Sequence, residues 1–263
     1  QILSPKTEII TLIRDLNLSR KDEINYLKSK GVMIDWKKAK YSINKGLWGT
    51  SIGGSETLTS KHPLPEKAYP SQLKLKNEKK IKLEFKNGEL ISLNSKKDSP
   101  INIIRDLENI AKKYAIGRDI HIGDTIIGIK GRVGFEAAAP ILIIKAHHLL
   151  EKHTLTKWQL IYKEQLCINY GLLLHEGQYL DPVMRDIEKF LISSQKNVSG
   201  DVFIKLNPYR YELIGIKSKF DLMDSKFGNY GEMNKKWSAD EVKGFIKILS
   251  NQNKIYQKIN KND

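Results

Sequence analysis

Apolar and polar residues alternate over Ile81, Leu83 and Phe85, and a second apolar stretch returns from Leu90 to Leu93, with Asn87-Gly88 between them. A period of two on one side of an Asn-Gly pair predicts a β-hairpin with a tight turn. The period then changes. After Ser99-Pro100, apolar residues recur at Ile103, Ile104, Leu107, Ile110, Ala111 and Tyr114, until Gly117. That spacing predicts a helix started by proline at its first position and stopped by glycine. Residues Asp119 to Lys130 read as paired short strands. Helices are expected over Ala137 to Lys152, Thr156 to His175, and Pro182 to Ser194, the last capped by Asp181. A second hairpin is expected through Asp201 to Leu206 and Arg210 to Ile216. Ser238 and Glu241 form a capping box ahead of an amphipathic terminal helix carrying Val242, Phe245, Ile246 and Leu249.

The amino-terminal portion is organised differently. Ser19 and Asp22 mark a helix start, Ile24, Tyr26 and Leu27 give a partial apolar face, and Gly31 supplies a left-handed stop. Val32-Met33-Ile34 reads as a short strand, so this segment resembles the tail of a domain. Tyr41 to Glu56 is a glycine- and serine-rich loop, and Ser60 to Ser71, with Pro63, Pro65 and Pro70, is an extended surface connection. Helices and strands are intermixed without a regular βαβα series, so the fold class is α+β.

Composition narrows the function. A 40% hydrophobic share in 263 residues is enough for one large domain or two small ones. No stretch approaches the ~18 apolar residues of a membrane helix. The start has neither the basic region nor the apolar run of a signal peptide, and the absence of an initiator Met points to a start inside a longer protein. One cysteine, Cys167, cannot form an internal disulfide, and a cytoplasmic protein is expected. Its place in the apolar run Leu160 to Leu174 favours a packed thiol over a nucleophile. The net charge of +15 could serve an anionic partner. However, no dense arginine block and no interleaving of aromatic with basic residues is present, so a lysine-rich solvated surface is preferred and no nucleic-acid partner is expected.

The run Tyr41-Ser42-Ile43-Asn44-Lys45-Gly46-Leu47-Trp48-Gly49-Thr50-Ser51-Ile52-Gly53-Gly54 concentrates hydroxyls and glycines beside one aromatic wall. Such a segment can offer hydroxyls and free N–H groups to a small polar ligand, or be an ordinary turn. It lacks the Gly-Lys-Ser/Thr of a P-loop. His147 and His148 are adjacent and point about 100° apart on a helix, so they cannot both face one ion; with His153 they are read as satisfied or surface groups, and no metal site is assigned. Asp181, Asp186 and Glu188 suit a helix cap and a solvated face.

Several motifs occur in a distinctive order. They are Tyr41-Ser42, Leu47-Trp48, Ser51-Ile52, Gly117-Arg118, and Ile127-Gly128-Ile129-Lys130 running into Arg132 and Glu136. Ala146-His147, Thr154-Leu155-Thr156, Ser193-Ser194-Gln195 with Val198 and Gly200, and Gly244-Phe245-Ile246 follow. From about Ser19 to Lys258 the chain resembles the carboxy-terminal two-thirds of argininosuccinate synthase. The resemblance implies an enzyme joining citrulline to aspartate with ATP, with Mg2+ accompanying the nucleotide. It implies residues 1–35 as the tail of a nucleotide-binding domain, 36–237 as the substrate-binding synthetase domain, and 238–263 as a multimerisation helix building a homotetramer. The ATP-binding domain is not in this sequence, so the chain alone is expected to be inactive. No catalytic residue is assigned within it.

Two citrulline-contacting serines of the family fall on Ser42 and Ser51. Where most members carry a glutamate and, twelve residues on, a tyrosine that hold citrulline, this chain has Gly123 and Phe135. A carboxylate there would pair with the free α-ammonium. Its loss suits an N-acylated citrulline such as N-succinylcitrulline, unless Asp124 or a neighbour takes over the ammonium. Both remain open, as does a non-catalytic assembly or nucleic-acid-binding module.

Overall fold

The computed structural model describes residues 2–33, 40–223 and 236–260. The expected α+β class holds, with mixed helices and two wholly antiparallel sheets. Ahead of the sheets lie the one-turn α1 (Leu12–Asp15) and α2 (Arg20–Ser29). The latter has a capping box between Ser19 and Asp22, and Gly31 has the left-handed φ of +74°. Val32 and Met33 are not in a strand, and Ile34 lies outside the described residues, as does the boundary expected at 35–36.

The first sheet contains β1 (Ser42–Gly46), β2 (Gly49–Gly53), β6 (Arg118–Asp124) and β7 (Lys130–Glu136), in the order β1-β2-β7-β6. The expected loop at 41–56 is therefore a hairpin, because Gly46 and Gly49 close a tight turn around Leu47-Trp48. The strands expected within Asp119 to Lys130 extend beyond it. Residues 125–129 are their turn, so β7 takes the Arg132 to Glu136 motif.

The second sheet contains β3 (Lys79–Lys86), β4 (Glu89–Leu93), the two-residue β5 (Lys96–Lys97), β8 (Gly200–Asn207) and β9 (Arg210–Lys217), ordered β5-β4-β3-β8-β9. The hairpin at Asn87-Gly88 forms as expected, with φ of +50° and +82° at its two central residues. Ile81, Leu83 and Phe85 of β3 and Val202, Ile204 and Leu206 of β8 project to one face. There they meet Ile103 and Leu107 of α3 (Pro100–Ala111) and Leu142, Ala146 and Leu150 of α4 (Ala138–Thr154). This is the main core, and its period-two and period-3.6 stripes are those visible in the sequence.

The two sheets are joined by the continuous passage from β7 into α4. Gly117, with φ of +77°, lies so close to it that a Cβ would fall 2.5 Å from the Ala137 carbonyl oxygen. Outside the core, α5 (Lys157–His175) packs on α6 (Pro182–Ser194), which Asp181 caps. No residue of α5 is fully buried, and Cys167 is half-buried. The terminal helix expected after Ser238 is two helices, α7 (Ala239–Leu249) and α8 (Asn251–Ile259), parted at Ser250, and Val242, Phe245, Ile246 and Leu249 are exposed. Among the described residues, no helix is long and apolar enough to cross a membrane.

One ion pair ties the helical layer together. Glu151 on α4 is completely buried and accepts hydrogen bonds from Lys163 Nζ of α5 at 2.7 Å and Gln195 Nε2 at 2.9 Å. Burial pushes the nearby His147 down towards its neutral form, so Lys163 supplies the charge that Glu151 needs. Removing one partner from a buried pair strands the other charge, at a cost of roughly 3–5 kcal/mol. Lys163→Met is therefore expected to lower the unfolding free energy from denaturant titration by that much, and Lys163→Met with Glu151→Leu to recover most of it. Equal stability of the single variant and the native chain would refute this account.

Candidate functional site

The register of the first sheet decides which side chains can meet. Asn44 pairs with Ser51, Ser51 with Phe135, and Phe135 with Asp119, so these four lie side by side on one face. Side chains alternate along a strand, so Ser42, two residues from Asn44, shares that face, and so do His121 and Gly123, two and four residues from Asp119. All four positions singled out in the sequence, Ser42, Ser51, Gly123 and Phe135, thus lie on the same side of the sheet.

The other side is packed. Ile52 is fully buried against Leu64 and Ala68, with Tyr41, Tyr69 and Ile120 around them. Gly134 belongs to this packed side, where a Cβ would fall 2.0 Å from Leu64 Cδ1. The segment 60–71 is a mostly exposed connection, as expected, but Leu64 and Ala68 turn inward and cover this face, with a short 3-10 turn at Glu66–Ala68. Leu64 and Ala68 are buried although prolines flank them.

The motif charges serve the packed side. Arg118 donates to Glu136 at 3.1 Å, to Glu66 at 2.7 Å and to the Ser71 carbonyl, and lies over the Tyr69 ring. Arg132 donates to the carbonyls of Glu56, Thr59 and His62. These arginines clamp the covering segment, so the open face is held in shape from behind. Their position was legible, since 118, 132 and 136 share a parity with Ile120 and Gly134, opposite to Gly123 and Phe135.

On the open face the hydroxyls of Ser42 and Ser51 have no side-chain hydrogen bond among the described residues. Ser51 and Phe135 are half-buried, whereas Ser42, Asn44, Asp119 and His121 are exposed. Asp124, weighed in the sequence as a substitute carboxylate, points to the opposite side and pairs with Lys130 at 2.5 Å. The carboxylate that does share the face is Asp119, a cross-strand neighbour of Phe135 that the sequence reading did not single out.

The remaining candidates are occupied elsewhere. His147 meets the edge of Phe85, and His153 pairs with Asp221 at 3.0 Å. His147 and His148 both come within 3.6 Å of the same carboxylate, Glu151, despite their divergent directions. Burial pushes the Cys167 thiol up, away from the reactive thiolate. Among the described residues, no three His, Cys, Asp or Glu side chains gather to hold a metal ion. A cleft of about 520 Å³ lies beyond the turn of the β1–β2 hairpin, lined by Lys45, Thr50, Gln72, Glu108, Lys112 and Glu136. Thr50 and Glu136 place it off the open face.

A small antiparallel sheet, packed behind and bare in front, is carried on an α+β core. The chain belongs to the argininosuccinate synthase family, and residues 41–256 match the profile described as Arginosuccinate synthase C-terminal domain. It is 35% identical over 260 residues to an argininosuccinate synthase of Methanocaldococcus jannaschii, covering 98% of this chain and 65% of that protein. It is 34% identical over 256 residues to one of Dictyoglomus thermophilum, covering 97% and 64%. It is 31% identical over 259 residues to one of Sulfolobus acidocaldarius, covering 97% and 66%. The chain spans just under two-thirds of the length of these relatives.

Glu56 anchors the base of the hairpin, accepting from Lys40 Nζ at 2.8 Å and Tyr41 Oη at 2.6 Å. These bonds favour the charged carboxylate and hold it down to about 2, from an ordinary 4.5. Because the folded value lies below the unfolded one, the anchor is fully present above pH 4.5 and is lost as pH falls through about 2. A carboxyl-carbon NMR titration is expected to give that low midpoint, and Lys40→Ala to move it up. An ordinary midpoint in the native chain would contradict the anchor.

Proposed function

We propose that the chain is the citrulline-holding and assembly part of an argininosuccinate synthase, working in the cytoplasm with an ATP-binding part whose counterpart in the relatives lies outside the span matched here. The reading rests on one observation above all: Ser42, Ser51, Gly123 and Phe135 share the bare face of one sheet although they are scattered over more than ninety residues of sequence. The family membership and the names of the relatives support the reaction.

In the proposed reaction the ureido oxygen of citrulline attacks the α-phosphorus of ATP and pyrophosphate leaves. The aspartate amine then attacks the activated ureido carbon, AMP leaves, and argininosuccinate forms. This chain's share is binding and orientation. The hydroxyls of Ser42 and Ser51 both donate and accept, and they fix the amino-acid end of citrulline on the sheet so that its ureido end is presented to the nucleotide. ATP and its Mg2+ are assigned to the other part. Gly123 and Phe135 favour a second reading, the same reaction on an N-acylated citrulline, since neither can bind an ammonium through a carboxylate or a phenol.

Pyrophosphate release tests the reading. The chain alone is expected to release none from ATP, and the whole enzyme to release it only when aspartate and a citrulline are present. Ser42→Ala and Ser51→Ala are each expected to raise KM for the citrulline several-fold to tenfold, the loss of about one net hydrogen bond. Unchanged KM in both variants would remove the open face from the substrate site.

The exposed apolar stripe Val242, Phe245, Ile246 and Leu249 suits a homotetramer. Light scattering is expected to give four chains per particle, and Phe245→Glu to give smaller species. A native monomer would end the assembly proposal.

A further inference from the structure

We propose that His121 is the specificity-determining residue of the open face, and that it selects a citrulline whose α-nitrogen carries an acyl group over one with a free ammonium. This rests on the reading of that face as the citrulline site.

The observation that carries it is steric. A Cβ built on Gly123 would lie 2.7 Å from Nε2 of His121, so the imidazole leans along β6 and occupies the space above the glycine. Any side chain at Gly123 would displace it. Gly123 also faces Gly131 across the β6–β7 pair, so the sheet beyond the imidazole is bare backbone. His121 is exposed and makes no hydrogen bond or ion pair among the described residues. Its ring nitrogens are therefore free for a ligand.

Its position relative to the serines sets the reach. His121 pairs with Val133, and Ser42 with Gly53. Continuing the β2–β7 register by one pair from Ile52 and Gly134 places Gly53 beside Val133. Ser42 and His121 then stand at the two ends of one row, three strand spacings or about 14 Å apart. Gly53 and Val133 lie between them in that row, and Ser51 and Phe135 border it in the next. That row is longer than an amino-acid head group, and an acyl extension on the α-nitrogen spans the length up to the imidazole.

The chemistry at the far end follows from charge. An ammonium carries only donors and needs anionic or acceptor partners to replace its water. An imidazole there supplies at best one lone pair, and when protonated it repels a cation. Towards the oxygens of an acyl group it is well matched, because a ring N–H donates to a carbonyl and more strongly to a terminal carboxylate. Phe135 contributes an apolar wall for the acyl methylenes. A dicarboxylic acyl group such as succinyl is therefore preferred to acetyl, and acetyl to none. The group that opposes this selection is Asp119, whose carboxylate is on the same face beside Phe135.

The test uses the whole enzyme with ATP and aspartate, comparing N-succinylcitrulline, N-acetylcitrulline and free citrulline. The native enzyme is expected to prefer the succinyl compound in kcat/KM by at least about tenfold. His121→Val is expected to remove about ten- to a hundredfold of that value, mostly through KM, with Tm unchanged, and His121→Gln, which keeps a donor, to restore part of it. Gly123→Glu combined with His121→Val is expected to reverse the preference towards free citrulline. Preference for free citrulline in the native enzyme overturns the inference and leaves the proposed reaction standing; loss of that activity in Asp119→Asn would name the carboxylate responsible. Succinyl preference that survives His121→Val overturns the role of His121 alone. Turnover of none of the three overturns the proposed function itself.

Discussion

The pairing of β2 with β7 is the constraint on which the usable surface of this protein depends. It joins residues 50–52 to residues 134–136 across more than eighty positions of sequence, and it holds two hairpins in one sheet. Its register also sets parity. With Ile52 opposite Gly134, one face receives Ile52, Ile120 and the side of Gly134 that admits Leu64. The other face then receives Ser51 and Phe135. A slip of one residue would exchange the two faces, burying the serine and exposing the isoleucine. Burial of Ile52 and Leu64 thus stabilises the register that places the serines and Phe135 in the open.

That burial is reinforced by charge placed behind the sheet. Arg118 and Arg132 reach carbonyls and carboxylates of the 55–71 segment, and the largely buried Arg118 is satisfied by Glu136, Glu66, Ser71 and the Tyr69 ring. A guanidinium is suited to this, because its planar fork bonds several carbonyls at once and stays charged. The clamp works from the packed side; on the open face Asp119 accepts from the Ile120 N–H at 2.7 Å, while the two serine hydroxyls and the imidazole remain available.

Much of the architecture was legible locally. The Asn87-Gly88 hairpin, the proline-started α3, the Asp181 cap of α6 and the Ser238–Glu241 box all arise from interactions within a few residues, which a sequence displays directly. The hairpin at 42–53 was misread as a loop because its glycines and hydroxyls carry weak strand propensity. It is a strand pair because β7 completes the ladder beside it, and β7 is distant in sequence. The inward turn of Leu64 and Ala68 from the exposed segment 60–71 was not legible for the same kind of reason, since its prolines speak of local conformation and not of what Leu64 covers.

The sequence by itself determined the main core, through the period-two stripes of β3 and β8 and the period-3.6 stripes of α3 and α4, and it determined the family and the four candidate positions. It also contained His121 two residues before Gly123, the parity that puts both on one face. Only the tertiary structure decided which face is bare, that Asp124 turns away while Asp119 shares the open face, and that an imidazole lies over Gly123. Those outcomes follow from long-range strand pairing and from the burial of Ile52 against Leu64, and the free energy of such contacts is set by residues that meet only once the chain is folded.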